Sequence, residues 1–335
     1  MIDHDRKLIY VDYSTLATFQ SCKEKARLAH WRAATPDKSL AFGHAFHAAI
    51  AAYDDACAGG RRAPNGAWIA EPPTKPPLLT AKAAFLHDLA IEGADLPIDL
   101  EVEERRSLAR GLALVEAYIT RWANEPYETM LDEHGAPLVE VGFHYPLCEF
   151  QGWTVIYVGY IDKIMRHKMT KRVVMRETKT TTEALSQFIK QCKPNHQVTG
   201  YFVFARRMFP DIIECIWDCV FVSDRAADMR RAEKEHFMMW GVDIDKDFKR
   251  QPTTRHMSDI TEFLWDAHEH AYEYAKWLLS GAIRWPRSAP GACHMFGGCR
   301  YRDVCVLNDA AQRDAFLQTR FVEKPWQPWK GIIGA

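Results

Sequence analysis

A block of strand-forming sequence in the middle of the chain, flanked by helical stretches, constrains the fold more than any other feature. Val139–Leu147, Thr154–Arg166 and Arg172–Lys179 are rich in β-branched and aromatic residues and alternate in polarity, the period-two pattern of half-buried strands. Turn-forming stretches at His134–Pro137, Gln151–Gly152 and His167–Thr170 separate them. Three sequential, mostly antiparallel strands are therefore expected. A helical segment interrupted at Pro194 and resuming over Asn195–Met208 comes next, then a fourth strand over Glu214–Ser223. The order helix, three strands, helix, strand describes a mixed α/β core.

The flanks are helical. Thr15–Arg32 reads as an amphipathic helix with Ser14 as N-cap and Leu16, Phe19 and Leu28 among its apolar positions. Leu40–Asp54 is a second helix, so rich in small and apolar residues that burial is expected. Gly59–Pro77 has the Gly, Pro and Ala content of a surface loop. Helical periodicity returns in Ala81–Leu89 and Val102–Trp122, and again in Ala226–Trp240 and Asp259–Leu279. Arg284–Gly291 reads as a linker, and the tail bearing Trp326 and Trp329 as irregular. Three regions are expected, 1–130, 131–225 and 226–335, packed as one integrated domain.

The chain of 335 residues carries a net charge of −1, so any affinity for a polyanion has to come from a local basic patch. The first seven residues lack the apolar core of a signal peptide. The longest uncharged run, Ser39–Tyr53, is too short to span a bilayer. A cytoplasmic protein is expected, in which nine cysteines are buried thiols or metal ligands rather than disulfides.

On the third strand Val173, Met175, Glu177 and Lys179 share a face. Asp162 lies on the strand before it, and a hairpin through His167–Thr170 can set it beside Glu177, in a register that sequence alone does not fix. Paired carboxylates hold a hard divalent cation, which polarises a phosphodiester and acidifies bound water. An adjacent lysine orients that water or offsets transition-state charge. The alternative for an isolated Glu-x-Lys is a cross-strand charge pair on a surface strand.

Gly159-Tyr160-Ile161-Asp162, Glu177-Thr178-Lys179 and Gln197-Val198-Thr199-Gly200-Tyr201, with Gly43-His44-Ala45-Phe46-His47 upstream, resemble the ordered motifs of PD-(D/E)XK nucleases. The branch they resemble is that of RecB and AddB, to which the CRISPR-associated four-cysteine nucleases are similar. The resemblance spans Ser14 to Cys305; Ile161 stands where the superfamily's name calls for Pro. It implies a restriction-endonuclease-like mixed sheet flanked by helices, and a Mg2+- or Mn2+-dependent deoxyribonuclease. His47, Asp162 and Glu177 would ligate the metal with the Thr178 carbonyl. Lys179 would position the attacking water, and Gln197 and Tyr201, one helical turn apart, would touch substrate or brace the lysine. His44, one turn before His47, reads as structural, and Glu140 as a possible supporting acid. His268 and His270 read as surface or core residues.

Cys293, Cys299 and Cys305 are spaced by five residues each, and Cys22 lies far upstream. Zinc sites favour Cys-x2–4-Cys pairs, which this trio does not offer; iron–sulfur clusters tolerate wider spacing. The resemblance implies that the four hold a [4Fe–4S] cluster joining the two ends of the chain, although the first gap of the trio is wider than the two residues often found there, which leaves another metal or none open. Cys57, Cys148, Cys192, Cys215 and Cys219 read as packing thiols; Cys215 and Cys219 would share a strand face, leaving a second metal site open. Phosphate-binding candidates are Lys190, Lys193, Arg206, Arg207, Arg230 and Arg231. Trp153, Tyr157, Tyr160 and Tyr201 are candidates for stacking single-stranded bases, or else core residues. The expected reaction is exonucleolytic cleavage of DNA at single strands or ends, in recombination, repair or DNA processing, beside a helicase, recombinase or single-strand-binding protein. A structure-specific endonuclease and a non-catalytic DNA-binding adaptor are the alternatives.

Overall fold

The computed structural model describes residues 2–33, 37–63, 67–72, 74–93, 96, 105–224, 240–288, 293–294 and 298–323. Its strands are Ile2–Asp3 (β1), Leu8–Val11 (β2), Trp31–Ala33 (β3), Arg61–Arg62 (β4), Trp68–Ile69 (β5), Tyr127–Thr129 (β6), Val139–Phe150 (β7), Trp153–His167 (β8), Val173–Thr181 (β9), Glu214–Phe221 (β10), Phe248–Thr254 (β11) and Phe321–Glu323 (β12). Its helices are Tyr13–Ser21 (α1), Lys23–Arg27 (α2), Lys38–Cys57 (α3), Pro77–Glu92 (α4), Leu108–Trp122 (α5), Leu185–Phe188 (α6), His196–Met208 (α7), Met257–Leu279 (α8), Arg302–Val306 (α9) and Ala310–Arg320 (α10). Strands and flanking helices form the mixed α/β class expected from the sequence. The described residues fall into two units, one drawn from Pro36–Val141 and Tyr160–His256, the other from Met1–Thr35, Gly142–Gly159 and Met257–Gly334. Strands β7 and β8 contribute to both.

In the first unit β8 pairs antiparallel with β6 and with β9, β9 pairs parallel with β10, and β10 pairs antiparallel with β11. The parallel step requires a crossover, which the helical segment through α7 provides. Parallel pairing sets Asp218 level with Thr178 and Val220 level with Thr180. On that side Val220 and Val222 join Phe42, Phe46, Phe85, Leu114 and Tyr118 from α3, α4 and α5 in one buried core. Helix α3 begins where the Asp37 side chain accepts hydrogen bonds from the Ser39 and Leu40 amides. A Cβ on Gly43 would come within 3.3 Å of Thr180 Oγ1, so the glycine permits α3 to lie close against β9.

Beneath this core runs a buried charge network. Arg250 donates to Asp218 at 2.8 Å and pairs with Glu125, and its guanidinium stacks 3.6 Å from the Trp122 ring. Arg176 donates to Glu125 at 3.3 Å, and the Tyr118 hydroxyl donates to Asp218 at 2.7 Å. Buried charges of both signs are tolerable because each has an opposite partner.

In the second unit β2 pairs parallel with the first half of β8, and Phe19, Tyr274 and Trp285 pack edge to face. The chain ends meet here. The Glu24 carboxylate accepts from the Trp285 amide at 2.8 Å, the Tyr301 hydroxyl donates to the Trp31 carbonyl, and β3 pairs antiparallel with β12.

Three expectations need correction, and one strand, β11, is not foreseen in them. Thr15–Arg32 is not one helix: α1 is capped by Asp12 rather than Ser14, the chain is extended at Cys22, and α2 follows. The cause is tertiary, since the Glu24 amide donates to Pro286 instead of to its own helix. Gly59–Pro77 is not simply a loop, because β4 and β5 pair within it. β11 carries Pro252 and lacks strand-like alternation, yet forms an edge strand, where proline is tolerated. Val102–Trp122 begins as a helix only at Leu108, after the Ser107 cap; residues 102–104 lie outside the described residues. So do all of Ala226–Trp240 except Trp240, Arg230 and Arg231 within it, and the Trp326/Trp329 tail.

Candidate metal centre

The β8–β9 ladder pairs Lys163 with Arg176 and Ile164 with Met175. Continued by one step, this register sets Asp162 opposite Glu177. The backbone ladder stops there, and the Asp162 side chain takes over: Oδ2 accepts from the Thr178 amide at 2.6 Å. A carboxylate fixed by a strand amide cannot swing freely, so its remaining lone pairs are held in place.

Helix α3 supplies His47, whose Nδ1 lies 3.4 Å from Asp162 Oδ2 and 3.7 Å from Glu140 Oε1. Burial favours the neutral imidazole, but the charge of Asp162 and the hydrogen bond and charge of Glu140 outweigh it, holding the pKa at about 9. Donor atoms of His47, Glu140 and Asp162 all lie within 4.8 Å of one another. They border an open cleft that Asp54, Lys163, Arg176 and Thr178 also line.

Glu177 is fully buried, and its Oε1 sits 2.5 Å from Lys179 Nζ. Neither carboxylate oxygen makes a well-directed hydrogen bond, so the lysine contact is an ion pair in poor hydrogen-bond geometry. Burial and the Asp162 charge raise the Glu177 pKa against the pull of Lys179 and His47. Burial pulls the Lys179 pKa down, but Glu177 and Asp162 more than offset this and keep the amine charged.

The other expected residues are placed as follows. Gln197 Nε2 donates to the Tyr201 hydroxyl at 2.8 Å, bridging one turn of α7, with Tyr201 buried. His44 is half exposed and faces Glu92 at 3.9 Å, not the acidic cluster. Tyr157 is buried, Tyr160 partly exposed, and Trp153 packs edge to face on His4. Lys190 donates to Gln187, and Arg206 to the Pro210 carbonyl; Lys193 and Arg207 are exposed. His268 is exposed and stacks on Tyr272, and His270 is half-buried. Glu140 is the residue the sequence undervalued. Its backbone has a φ of +48°, and no strand pattern announces a left-handed residue.

Cys148, Cys192, Cys215 and Cys219 are buried, as expected of packing thiols, but Cys57 is exposed at the end of α3. Burial, then Asp218, pushes the Cys219 thiol up to about 12, and burial, then Glu177, raises Cys215 as well. Cys22, Cys293, Cys299 and Cys305 are all partly buried, and the Cys299 amide donates to the Cys293 carbonyl at 2.9 Å. Burial, then Glu24, Cys299 and Cys22, push the Cys305 thiol up to about 11. Among the described residues no three of the sulfurs gather within 4.8 Å, as a single zinc ion would require.

The residues of the first unit fit a hard divalent cation. They offer an imidazole, ionisable carboxylates and a buried glutamate whose oxygens lack directed hydrogen bonds. A family model for the PD-(D/E)XK nuclease superfamily matches residues 11–306. No curated protein matches the chain.

Proposed function

Because the chain belongs to the PD-(D/E)XK nuclease superfamily, we propose that it is a Mg2+- or Mn2+-dependent deoxyribonuclease acting on single strands or free ends. The observation that carries this reading is the Asp162–Thr178 hydrogen bond. It fixes one acid at the end of the β8–β9 ladder, beside His47 and next to the strand that bears Glu177 and Lys179.

Asp162, Glu177, His47 and the Thr178 carbonyl would hold the cation. When bound, the cation supplies a Lewis acid for the scissile phosphodiester and a water of lowered pKa. The protein's own groups do the positioning. Thr178 N–H orients the Asp162 carboxylate. Lys179, kept charged by Glu177, holds the attacking water and offsets negative charge as the phosphorane forms. Gln197 and Tyr201, hydrogen-bonded to each other, brace the lysine or the substrate backbone. Lys190, Lys193, Arg206 and Arg207 supply phosphate contacts that the net charge of −1 does not.

The reading extends to the RecB/AddB-like branch, with Cys22, Cys293, Cys299 and Cys305 holding a [4Fe–4S] cluster. Its support is the meeting of the chain ends that carry these cysteines, where the Tyr301 hydroxyl donates to the Trp31 carbonyl and β3 pairs with β12. The cluster's role is structural. Cellular partners would be a helicase, recombinase or single-strand-binding protein in recombination or repair. Timed digestion of a linear and a circular single strand tests the substrate: loss of the linear strand alone is expected, and equal loss of the circle would make the enzyme an endonuclease.

A further inference from the structure

We propose that the solvent face of α8 is a docking surface for a basic, amphipathic segment of a partner protein. This face belongs to the second unit, and its role does not depend on the metal site.

Helix α8 buries one side, through Ile260, Phe263, Ala267, Ala271 and Tyr274, at the three-and-four spacing of a core face. The opposite side should then be polar, and most of it is. The exceptions share one stripe. Trp265, His268 and Tyr272 recur at steps of three and four residues and so follow one line along the helix surface. Trp265 is 72% exposed and Tyr272 42%. The His268 ring stacks on Tyr272 at 6.5 Å, and Phe150 of β7 packs edge to face with Tyr272 at 5.1 Å. A single exposed indole needs no explanation, but an aligned set of exposed rings marks a surface that something covers. Rings that brace one another lose little freedom on binding, and Trp and Tyr carry much of the energy of protein interfaces.

The charges around the stripe choose its occupant. Glu262 and Glu269 stand about one turn before and after Trp265, both exposed, and Asp266 beside it is partly exposed. Lys276 is exposed one turn beyond Tyr272, so the surround of Trp265 stays acidic. That excess opposes a phosphate backbone, although the rings alone would suit stacked bases. It also opposes a second copy of the same face, which would set acid against acid. A segment with leucine-like side chains on one side and lysine or arginine along its flanks meets both the rings and the carboxylates.

Fluorescence anisotropy of a labelled amphipathic leucine–lysine peptide, titrated with the full-length protein, tests the assignment beside a leucine–glutamate peptide of the same pattern. The leucine–lysine peptide is expected to bind, more weakly as salt rises, and the leucine–glutamate peptide is not. Trp265→Ala is expected to weaken binding by about tenfold or more, the loss typical of an interface hot spot. Glu262→Gln combined with Glu269→Gln is expected to weaken it and to flatten its salt dependence. All three side chains are exposed, so these variants should melt as wild type does. Met169→Ala, which removes an apolar side chain exposed in the first unit, is expected to leave binding unchanged. Failure of the leucine–lysine peptide to bind, or equal binding by Trp265→Ala, would overturn the proposal. So would a dimer in sedimentation that Trp265→Ala dissolves, which would give the face to a second copy. Loss of single-strand binding in Trp265→Ala with peptide affinity intact would overturn it in favour of a nucleic acid.

Discussion

Replacing Lys179 with methionine separates chemistry from stability at the centre of the site. Glu177 is fully buried with Lys179 Nζ 2.5 Å from its carboxylate. Removing one partner of a buried pair typically costs about 3–5 kcal/mol, because the charge left behind is uncompensated. Here that figure does not apply in full. Burial and Asp162 already raise Glu177 against the pull of Lys179, and removing the lysine takes that pull away, so the isolated carboxyl takes up a proton instead of remaining a bare charge. What is lost is one charge-assisted contact, about 1.5–3 kcal/mol, toward the low end because Lys179 is 29% exposed. The melting temperature should then fall by only a few degrees, while cleavage should fall by roughly 10²–10³, the usual loss when a transition-state donor is removed. Melting curves and initial rates on a labelled single strand with Mn2+ measure both. Near-wild-type cleavage by Lys179→Met would refute the role of the lysine, and a variant unfolded at 25 °C would refute the protonation argument.

Three further outcomes follow from the geometry. Burial raises Asp55 from its ordinary value to about 6 despite the pull of Arg62, so ionising it opposes folding. The native state is relieved of that strain below about pH 4 and bears it fully above pH 6, at up to about 3 kcal/mol. Asp55→Asn should therefore gain stability relative to wild type as pH rises from 4.5 to 7.5, and a pH-independent difference in melting temperature would exclude this. A Cβ on Gly111 would sit 2.2 Å from the Phe85 ring and 3.1 Å from Phe42. Overpacking should outweigh the better helix propensity of alanine, giving Gly111→Ala a net loss of about 1–2 kcal/mol by denaturant titration; a stabilised variant would show that the rings move freely. Cys299→Ser should lose the brown colour of an iron–sulfur cluster and thermal stability together, and a colourless wild type or an unchanged variant would reject the cluster.

Much of this was legible in the chain because the signals were local. The alternation in Val139–Leu147, Thr154–Arg166 and Arg172–Lys179 located β7, β8 and β9, and Asn195–Met208 located α7, whose cap is Asn195. His47, Asp162, Glu177 and Lys179 were each marked by motif spacing. What the sequence could not supply was pairing and backbone rotation. The Lys163–Arg176 register depends on which faces the helices cover, and one residue of slip would have turned Asp162 away. The left-handed turn at Glu140 belongs to no residue preference. The break at Cys22 comes from Pro286 and Trp285, more than 250 positions downstream, beyond the reach of helical periodicity. β1 and β2 are too short to show a period, and Pro252 disguises β11.

Digestion of an end-labelled single strand by the wild-type chain and by Asp162→Asn, each with Mg2+ or Mn2+ and again with excess chelator, addresses the central claim most directly. Cleavage by wild type only when metal is present, with Asp162→Asn at least about 100-fold slower but equally folded, is the predicted result. Cleavage that survives the chelator, or that Asp162→Asn retains, would contradict a metal-dependent nuclease site built on His47, Asp162, Glu177 and Lys179.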